Sequence, residues 1–243
     1  MGRRARERQN VNWQTKLGII VPSWNTVMEY EFQRMAGPST SVHSQRIKHT
    51  DDSEKSLLWL STQAPDAATL LSHAKVHAIC HGCTASGFLK TPQEDLAQAQ
   101  ELTELTGIPC VTSASSIAGA IKALGARKIS VASPYEPWLN ERVKLYLEQA
   151  GFEVLAIAGL GTQAHGSISA PVIKALAHEV MREETEALFI SCSNFRTLAL
   201  ITELEQETGR PVVTSNQASM WGTLRSIRDQ REIEGAGRLF KQA

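Results

Sequence analysis

The sequence predicts an α/β protein made of two similar halves, each a parallel sheet of about four strands flanked by helices. Two observations carry this prediction. Short apolar segments rich in β-branched residues alternate with helical patterns along the chain, which is typical of parallel strands joined by helices. Segments of the first half also recur in the second half in the same order. The 243 residues suffice for one large domain or two smaller ones.

Eight segments are predicted to be strands, two of them weaker, at 41–47 and 153–159. The six stronger ones are LGIIVP (17–22), VHAICHG (76–82), IPCVTS (108–113), KISVAS (128–133), EALFISCS (186–193) and RPVVTS (210–215). The intervening patterns predict helices, such as PQEDLAQAQELTELTG, in which Gly107 ends a periodic apolar face.

The internal repeat is clearest where TGIPCVTS (106–113) recurs as TGRPVVTS (208–215), about 102 residues later. At offsets of about 109 and 111, AICHGCTASGF corresponds to LFISCSNFRTL and LGIIVPSWN to KISVASPYE. The repeat therefore predicts a first half at 16–114, completed by a C-terminal helix at 216–243, and a second half at 115–215. Residues 1–15 are expected to form a flexible basic arm.

The composition excludes several partners. Because 25 basic residues balance 25 acidic ones, no net charge draws the chain to nucleic acid or to an acidic membrane, and a small substrate is expected. No segment approaches the roughly 18 consecutive apolar residues of a membrane span. Four cysteines without a signal peptide indicate free thiols in a reducing, cytoplasmic compartment.

Two of these cysteines occupy equivalent places in the repeat. Cys83 and Cys192 each follow a strand, at the edge where parallel sheets bind ligands, so both are predicted to face one cleft. Cys80 and Cys110 are expected to be packing residues. Other interpretations are inert burial, a zinc site built from Cys80, His81 and Cys83, or a redox pair. Zinc is disfavoured because no second ligand pair has finger spacing, and a redox pair because Cys80 lies inside the strand.

Two facing thiols can act as opposed acid and base, because a thiol titrates near pH 8.5 and a helix N-terminus lowers that value. Backbone N–H groups at the following helix starts can hold a carboxylate or a developing enolate. The residues that supply them are Thr84, Ala85, Ser86, Ser193 and Asn194. We predict no metal or organic cofactor, since no dinucleotide, P-loop or zinc motif follows any strand.

Five segments together resemble the aspartate/glutamate racemase superfamily, nearest to its maleate cis-trans isomerases and arylmalonate decarboxylases. They are LGIIVPSWNTVMEYE, CTASGF, ASPYEPWLNERV, ISCSNFRTL and PVVTSNQASMWGTLR. The resemblance implies two half-domains that enclose a cofactor-free active site, a small carboxylate substrate, and a homodimer or higher oligomer. It also implies that Cys83 and Cys192 are the catalytic cysteines.

The resemblance extends to substrate-binding residues. Pro22, Ser23 and Asn25 match a loop of the isomerases in which the asparagine contacts a substrate carboxylate. Tyr135 matches the active-site tyrosine of the family. His165 falls where the isomerases have an asparagine after the sixth strand, and Trp24 replaces a small residue, which leaves the size of the pocket open.

Cys83 also bears on the reaction, because arylmalonate decarboxylases have glycine there. Two-thiol chemistry is therefore favoured, foremost maleate-to-fumarate isomerisation through a Cys83 adduct, with Cys192 supplying and retrieving the proton. The alternatives are an amino-acid or hydantoin racemase, a relative of ectoine-utilisation proteins, whose VTSNQA segment this chain shares, and a malonate-type decarboxylase. A binding protein without catalysis is a further alternative.

Overall fold

The structure is a computed structural model that describes residues 14–242, so the predicted basic arm lies almost wholly outside the described residues. All eight predicted strands are present. They are β1 (Thr15–Pro22), β2 (Thr40–Ile47), β3 (Ala78–His81), β4 (Cys110–Thr112), β5 (Lys128–Ser133), β6 (Glu153–Gly159), β7 (Ala187–Ile190) and β8 (Val212–Thr214).

The strands form two four-stranded sheets of the same topology. The first has the order β2-β1-β3-β4 and the second the order β6-β5-β7-β8, and every pairing is parallel. In each half, the first strand (β1 or β5) therefore lies inside the sheet, and the second strand (β2 or β6) lies beside it at an outer edge. This confirms the predicted fold of two similar α/β halves.

Helices connect the strands and cover the sheets. They are α1 (Met28–Ala36), α2 (Glu54–Thr62), α3 (Ala64–His73), α4 (Thr84–Gly87), α5 (Pro92–Thr106), α6 (Ser113–Ala123), α7 (Pro137–Gln149), α8 (Ala170–Val180), α9 (Ile201–Thr208), α10 (Ser215–Ser226) and α11 (Leu239–Gln242). Short 3-10 turns lie at His165–Ser167 and Leu198–Leu200. Within residues 14–242, no helix has both the length and the apolar character to cross a membrane.

The repeated sequence TG-P-VTS has a local physical basis. Gly107 and Gly209 end α5 and α9 with φ of +68°, a conformation that glycine adopts without the steric cost of a side chain. Five residues later in each half, Thr112 and Thr214 form capping boxes at the starts of α6 and α10. The repeat therefore encodes the same helix stop, short strand and helix start twice.

The two halves share helices where they meet. Helix α10 contacts α6 and packs on β3 and β4 of the first sheet. Ser113 and Ser219 join the two helices through a 2.8 Å hydrogen bond between their hydroxyls. Gly222 permits this close approach, since a Cβ there would lie 2.8 Å from the Cβ of Ser116. The boundaries between the halves expected from the sequence, at 114/115 and 215/216, lie inside α6 and α10. At both places the chain passes from one half to the other through a helix and not through a loop.

A buried carboxylate also connects the halves. Glu31 of α1 is 3% exposed and accepts hydrogen bonds from the backbone N–H groups of Thr197 and Leu198, at 2.8 and 2.9 Å, and from Asn216 Nδ2 at 2.7 Å. Burial raises the pKa of this carboxyl, and the three donors oppose that rise. Glu31 thereby holds the segment after β7 and the start of α10 against α1.

Candidate active site

A small cavity lies between the halves, at the carboxyl ends of both sheets. Its volume is about 20 Å³, room for little more than a water molecule. The segments that follow β1, β2, β3, β5, β6 and β7 all contribute to it. The lining residues are Pro22, Trp24, Asn25, His49, Asp52, Cys83, Thr84, Ala85, Tyr135, His165, Cys192, Ser193 and Asn194. The structure thus brings together all the expected site residues except Ser23 and Ser86.

Cys83 occupies the N-cap position of the short helix α4, with φ of −104°. Its side chain is 5% exposed. Burial raises the pKa of the thiol to about 11, while the hydroxyl and N–H of Ser86 and the N–H of Ala85 favour the thiolate. The nearby carboxylate of Asp52 adds to the rise.

Cys192 lies at the equivalent place after β7 but has a different backbone conformation. Its φ is +113°, which is unusual for a residue other than glycine and is typical of functional sites. Two hydrogen bonds hold this conformation: Cys192 N–H donates to Ser215 Oγ at 2.9 Å, and Asn194 N–H donates to Cys192 Sγ at 3.3 Å. Burial raises the pKa of this thiol still further than that of Cys83, so the two cysteines are not equivalent.

Burial disfavours the thiolate form of both cysteines, because removing a thiolate from water costs more than the local N–H groups return. The rise in pKa is smaller for Cys83, so Cys83 is the thiol that ionises more readily of the two.

Residues of the two halves bind each other beside the thiols. Asn25 Nδ2 donates to Ser193 Oγ at 3.1 Å, and the N–H of Thr26 donates to Asn194 Oδ1 at 2.9 Å. Asn25 Oδ1 also accepts from the N–H groups of Val27 and Met28, both at 2.9 Å, at the start of α1. Asn25 thus lines the cavity and caps a helix at the same time.

Two hydroxyl groups of the lining have no hydrogen-bond partner within residues 14–242. These are Thr84 Oγ1 and Tyr135 Oη, on side chains that are 1% and 2% exposed. Burial raises the pKa of Tyr135 well above its ordinary value, so its phenol keeps its proton. Because buried hydroxyls are normally paired, these two are suited to bind the oxygen atoms of a substrate.

His165 is buried, at 3% exposure, in the 3-10 turn after β6. Its Nδ1 lies 3.5 Å from Cys192 Sγ, and its Nε2 lies 3.3 Å from Asp52 Oδ2. The other oxygen of Asp52 is 3.0 Å from His49 Nε2. Burial lowers the pKa of His165, and Asp52 opposes that change.

Sequence reasoning missed His49 and Asp52. They lie in the segment HTDD (49–52), which follows the edge strand β2 at the same carboxyl edge as the other site residues. The same signal that identifies the cysteines, polar residues directly after a strand, is present in this segment. It is weaker here because β2 is only weakly apolar, with a mostly half-buried pattern.

Ser23 is a correction. It is exposed and outside the lining, because its hydroxyl accepts from His49 N–H at 3.0 Å and donates to His49 O at 3.2 Å. Ser23 therefore fixes the segment that carries His49 and does not face the cavity.

The other two cysteines lie away from the cavity. Cys80 is fully buried in a core cluster with residues of α1 and α10, near the hydroxyls of Thr223 and Ser219, and burial raises its pKa to about 12. Cys110 donates to Ile108 O at 3.3 Å. All four thiols are free. Within residues 14–242, no group of three or more His, Cys, Asp or Glu side chains is arranged to hold a metal ion.

Comparison with known sequences places this geometry in context. A sequence model of the arylmalonate decarboxylase family matches residues 17–240. The chain is 27% identical to a maleate isomerase of Pseudomonas putida, covering 94% of this chain and 98% of the relative. It is 28% identical to a maleate isomerase of Nocardia farcinica, covering 93% and 96%. An arylmalonate decarboxylase of Bordetella bronchiseptica is 27% identical over 66% of this chain and 69% of its own.

Solved structures show the same likeness. A cysteine-to-serine variant of the Nocardia farcinica maleate cis-trans isomerase, with a covalently bound succinylcysteine intermediate, has a TM-score of 0.89 and 26% identity, covering 94% of this chain and 99% of that one. A cysteine variant of a Pseudomonas putida maleate isomerase with maleate has a TM-score of 0.90 and 24% identity, covering 94% and 98%.

Proposed function

The chain belongs to the arylmalonate decarboxylase family, and from that membership and the two cysteines of its cavity we propose that it is a cofactor-independent maleate cis-trans isomerase. One observation carries the proposal: Cys83 and Cys192 line the same buried cavity from equivalent positions of the two halves. The succinylcysteine adduct of the Nocardia farcinica relative supports covalent chemistry at one cysteine.

In the proposed reaction, the Cys83 thiolate adds to one alkene carbon of maleate. The C–S bond forms, the π electron pair moves to the neighbouring carbon, and the thiol of Cys192 protonates that carbon. The central bond is then single and rotates. Cys192 takes a proton back, the double bond re-forms in the trans geometry, and the Cys83 thiolate leaves.

The unpartnered hydroxyls have a role in this reaction. We assign Thr84 Oγ1, Tyr135 Oη and the N–H groups at the start of α4 to the substrate carboxylates, because they are buried donors in a site that must hold anions. Asn25, Ser193 and Asn194 lie beside them and keep the two halves in register. Pro22 and Ala85 complete the lining as apolar surface.

The substrate requires the cavity to open. Maleate is far larger than a cavity of about 20 Å³, so the lining must move when the substrate enters. Two cavities, of about 150 and 320 Å³, flank the 162–167 segment, and they share Asp52, Tyr135 and Trp24 with the inner cavity, which supports an opening at this place. We expect the 49–53 and 162–167 segments to separate as the substrate enters.

Conversion of maleate to fumarate, followed by proton NMR, tests the proposal. The wild-type protein is expected to form fumarate, and Cys83→Ala and Cys192→Ala are expected to abolish it. Cys110→Ala is the matched control, since it removes a thiol that lies outside the cavity, and it should retain activity. If the wild-type protein leaves maleate unchanged under conditions where it remains folded, the proposed reaction is wrong.

A second candidate is supported by Asp52. The lining contains this carboxylate and neither lysine nor arginine, which suits a substrate with an ammonium group better than a second carboxylate. An amino-acid racemase would use Cys83 and Cys192 to remove and deliver the α-proton from opposite faces. Aspartate in deuterium oxide discriminates the candidates: a racemase exchanges the α-proton, whereas the isomerase leaves aspartate unlabelled.

A homodimer or higher oligomer that works in the cytoplasm, without nucleic-acid or membrane partners, is proposed from the sequence alone. Size-exclusion chromatography with light scattering tests the oligomeric state, and an eluting mass of 26.6 kDa would contradict it.

A further inference from the structure

Only one of the two cavity cysteines has a histidine beside it. Cys192 Sγ lies 3.5 Å from His165 Nδ1, whereas the groups around Cys83 Sγ are the hydroxyl and N–H of Ser86 and the N–H of Ala85. The two cysteines hold equivalent positions in the repeat, but their surroundings differ in this respect. The difference gives Cys192 a neighbouring imidazole that can accept its proton and return it.

The imidazole of His165 lies among three side chains. Its Nε2 is 3.3 Å from Asp52 Oδ2, within ion-pair distance although without hydrogen-bond geometry, and Asp52 Oδ1 lies 3.0 Å from His49 Nε2. The ring also packs edge-on between Trp24 and Tyr135, with centroid distances of 5.7 and 5.8 Å. A thiol, an imidazole and a carboxylate in this sequence form the arrangement by which enzymes orient a base and stabilise its protonated form.

We propose that His165 and Asp52 form a proton relay for Cys192, in which Asp52 holds the imidazole and the imidazole takes and returns the thiol proton. The proton moves from Cys192 Sγ to His165 Nδ1, leaving a thiolate and an imidazolium whose charge is stabilised by the carboxylate of Asp52, 3.3 Å from Nε2. The return step restores thiol and neutral imidazole, so that no other bond changes and no co-reactant is consumed. The inference rests on the proposed function only in giving Cys192 the acid–base role.

The proposed relay and a simple charge effect predict opposite effects of Asp52 on the pH at which the Cys192 thiol ionises. A carboxylate near a thiol raises the pH at which the thiol ionises, so removing the charge of Asp52 would lower that pH if His165 were a passive neighbour. In the relay, Asp52 stabilises the imidazolium that accompanies the thiolate, so removing its charge raises that pH. The other titratable groups around His165 are His49 on the same segment as Asp52, Cys83 after β3 and Tyr135 after β5.

The experiment measures the pH dependence of Cys192 alkylation by iodoacetamide, read from the mass of the Cys192 peptide. All proteins carry Cys83→Ser, so that one cavity thiol remains, and they differ in Asp52→Asn, His165→Asn or both. The midpoint is the pH at which Cys192 is alkylated at half its maximal rate. Asp52→Asn is expected to raise this midpoint, and His165→Asn to raise it by about one pH unit or more. In the double variant, the Asp52→Asn change is expected to reverse sign and lower the midpoint relative to His165→Asn alone.

His49→Asn, in the same background, is the matched control for a histidine that reaches Asp52 but not the thiol, and it should move the midpoint less than His165→Asn. If Asp52→Asn lowers the midpoint while His165 is present, or if His49→Asn has the larger effect, the relay is refuted. If circular dichroism shows that the His165→Asn protein does not fold, the direction in which Asp52→Asn shifts the alkylation midpoint tests the relay by itself. Alkylation needs no substrate, so this result is separate from the maleate test.

Discussion

Replacing Glu31 with glutamine tests how firmly the cysteine-bearing segment of the second half is attached to the first. One carboxylate oxygen of Glu31 accepts both backbone N–H groups, from Thr197 and Leu198, and the other accepts Asn216 Nδ2. The amide of glutamine can keep the first two bonds. It turns an N–H group toward Asn216, so that one hydrogen bond to a charged group is lost and two donors face each other.

Loss of a buried hydrogen bond to a charged group costs about 1.5–3 kcal/mol, and the smaller cost of burying an amide instead of a carboxylate returns part of it. We expect the Glu31→Gln protein to be less stable by about 2 kcal/mol, which lowers Tm by about 4–8 °C for a chain of this size. Chemical and thermal denaturation measure it. Glu29→Gln is the matched control, because Glu29 lies on the same helix in an exposed ion pair with Arg46 and should change stability by about 0.5 kcal/mol or less. Equal stabilities of the two variants would refute the reasoning.

Three further predictions concern a buried acid, a site residue and a buried thiol. Burial raises the pKa of Asp95 to about 6 from 3.8, so its protonated form contributes stability below pH 3.8 that is lost as the pH rises through 6. The stability advantage of the wild-type protein over Asp95→Asn should therefore fall by about 2 kcal/mol between pH 4.5 and 7.5 in urea denaturation; a difference that does not change with pH would exclude this role of Asp95. Asn25→Asp should keep the helix cap, because a carboxylate oxygen accepts the same two N–H groups, yet lower kcat/KM at least about tenfold, because it adds a negative charge beside an anionic substrate; unchanged kinetics would leave Asn25 as a cap only. Cys80→Ala should lower stability by about 1 kcal/mol or somewhat more and leave turnover largely intact, measured by denaturation and by steady-state rates; a hundredfold loss of kcat would contradict its packing role.

The strands and the repeat could be predicted because they depend on local sequence. Buried parallel strands need continuous apolar residues, and a short helix–strand–helix connection needs the glycine stop of Gly107 and the capping box of Thr112. Those requirements recur in the second half at Gly209 and Thr214, so the same pattern occurs twice in the sequence. The equivalence of Cys83 and Cys192 followed from the same register.

The rest depended on tertiary contacts. Whether His165 was exposed or buried could not be read from a loop sequence, because its burial comes from Trp24, Tyr135 and Asp52, which arrive from three other segments. The φ of +113° at Cys192 could not be predicted from the sequence either, because non-glycine residues adopt such a value only when surrounding hydrogen bonds impose it. Ser23 was misassigned because a hydroxyl next to a site residue can serve the backbone instead of the substrate.

The packing of α10 on the first sheet has a consequence for the order in which the protein folds during synthesis. Strand β4 of that sheet ends at residue 112, and the helix that covers β3 and β4 begins at residue 215, so 102 residues lie between them. The ribosome must therefore make all four strands of the second sheet before the first sheet receives the side chains of Met220 and Leu224. The half that is translated first is completed last, and until then Leu17, Ile19 and Cys80 lack part of their apolar cover. A growing chain thus exposes an apolar sheet face from the synthesis of residue 112 until that of α10, which is the period in which a chaperone would have a surface to bind.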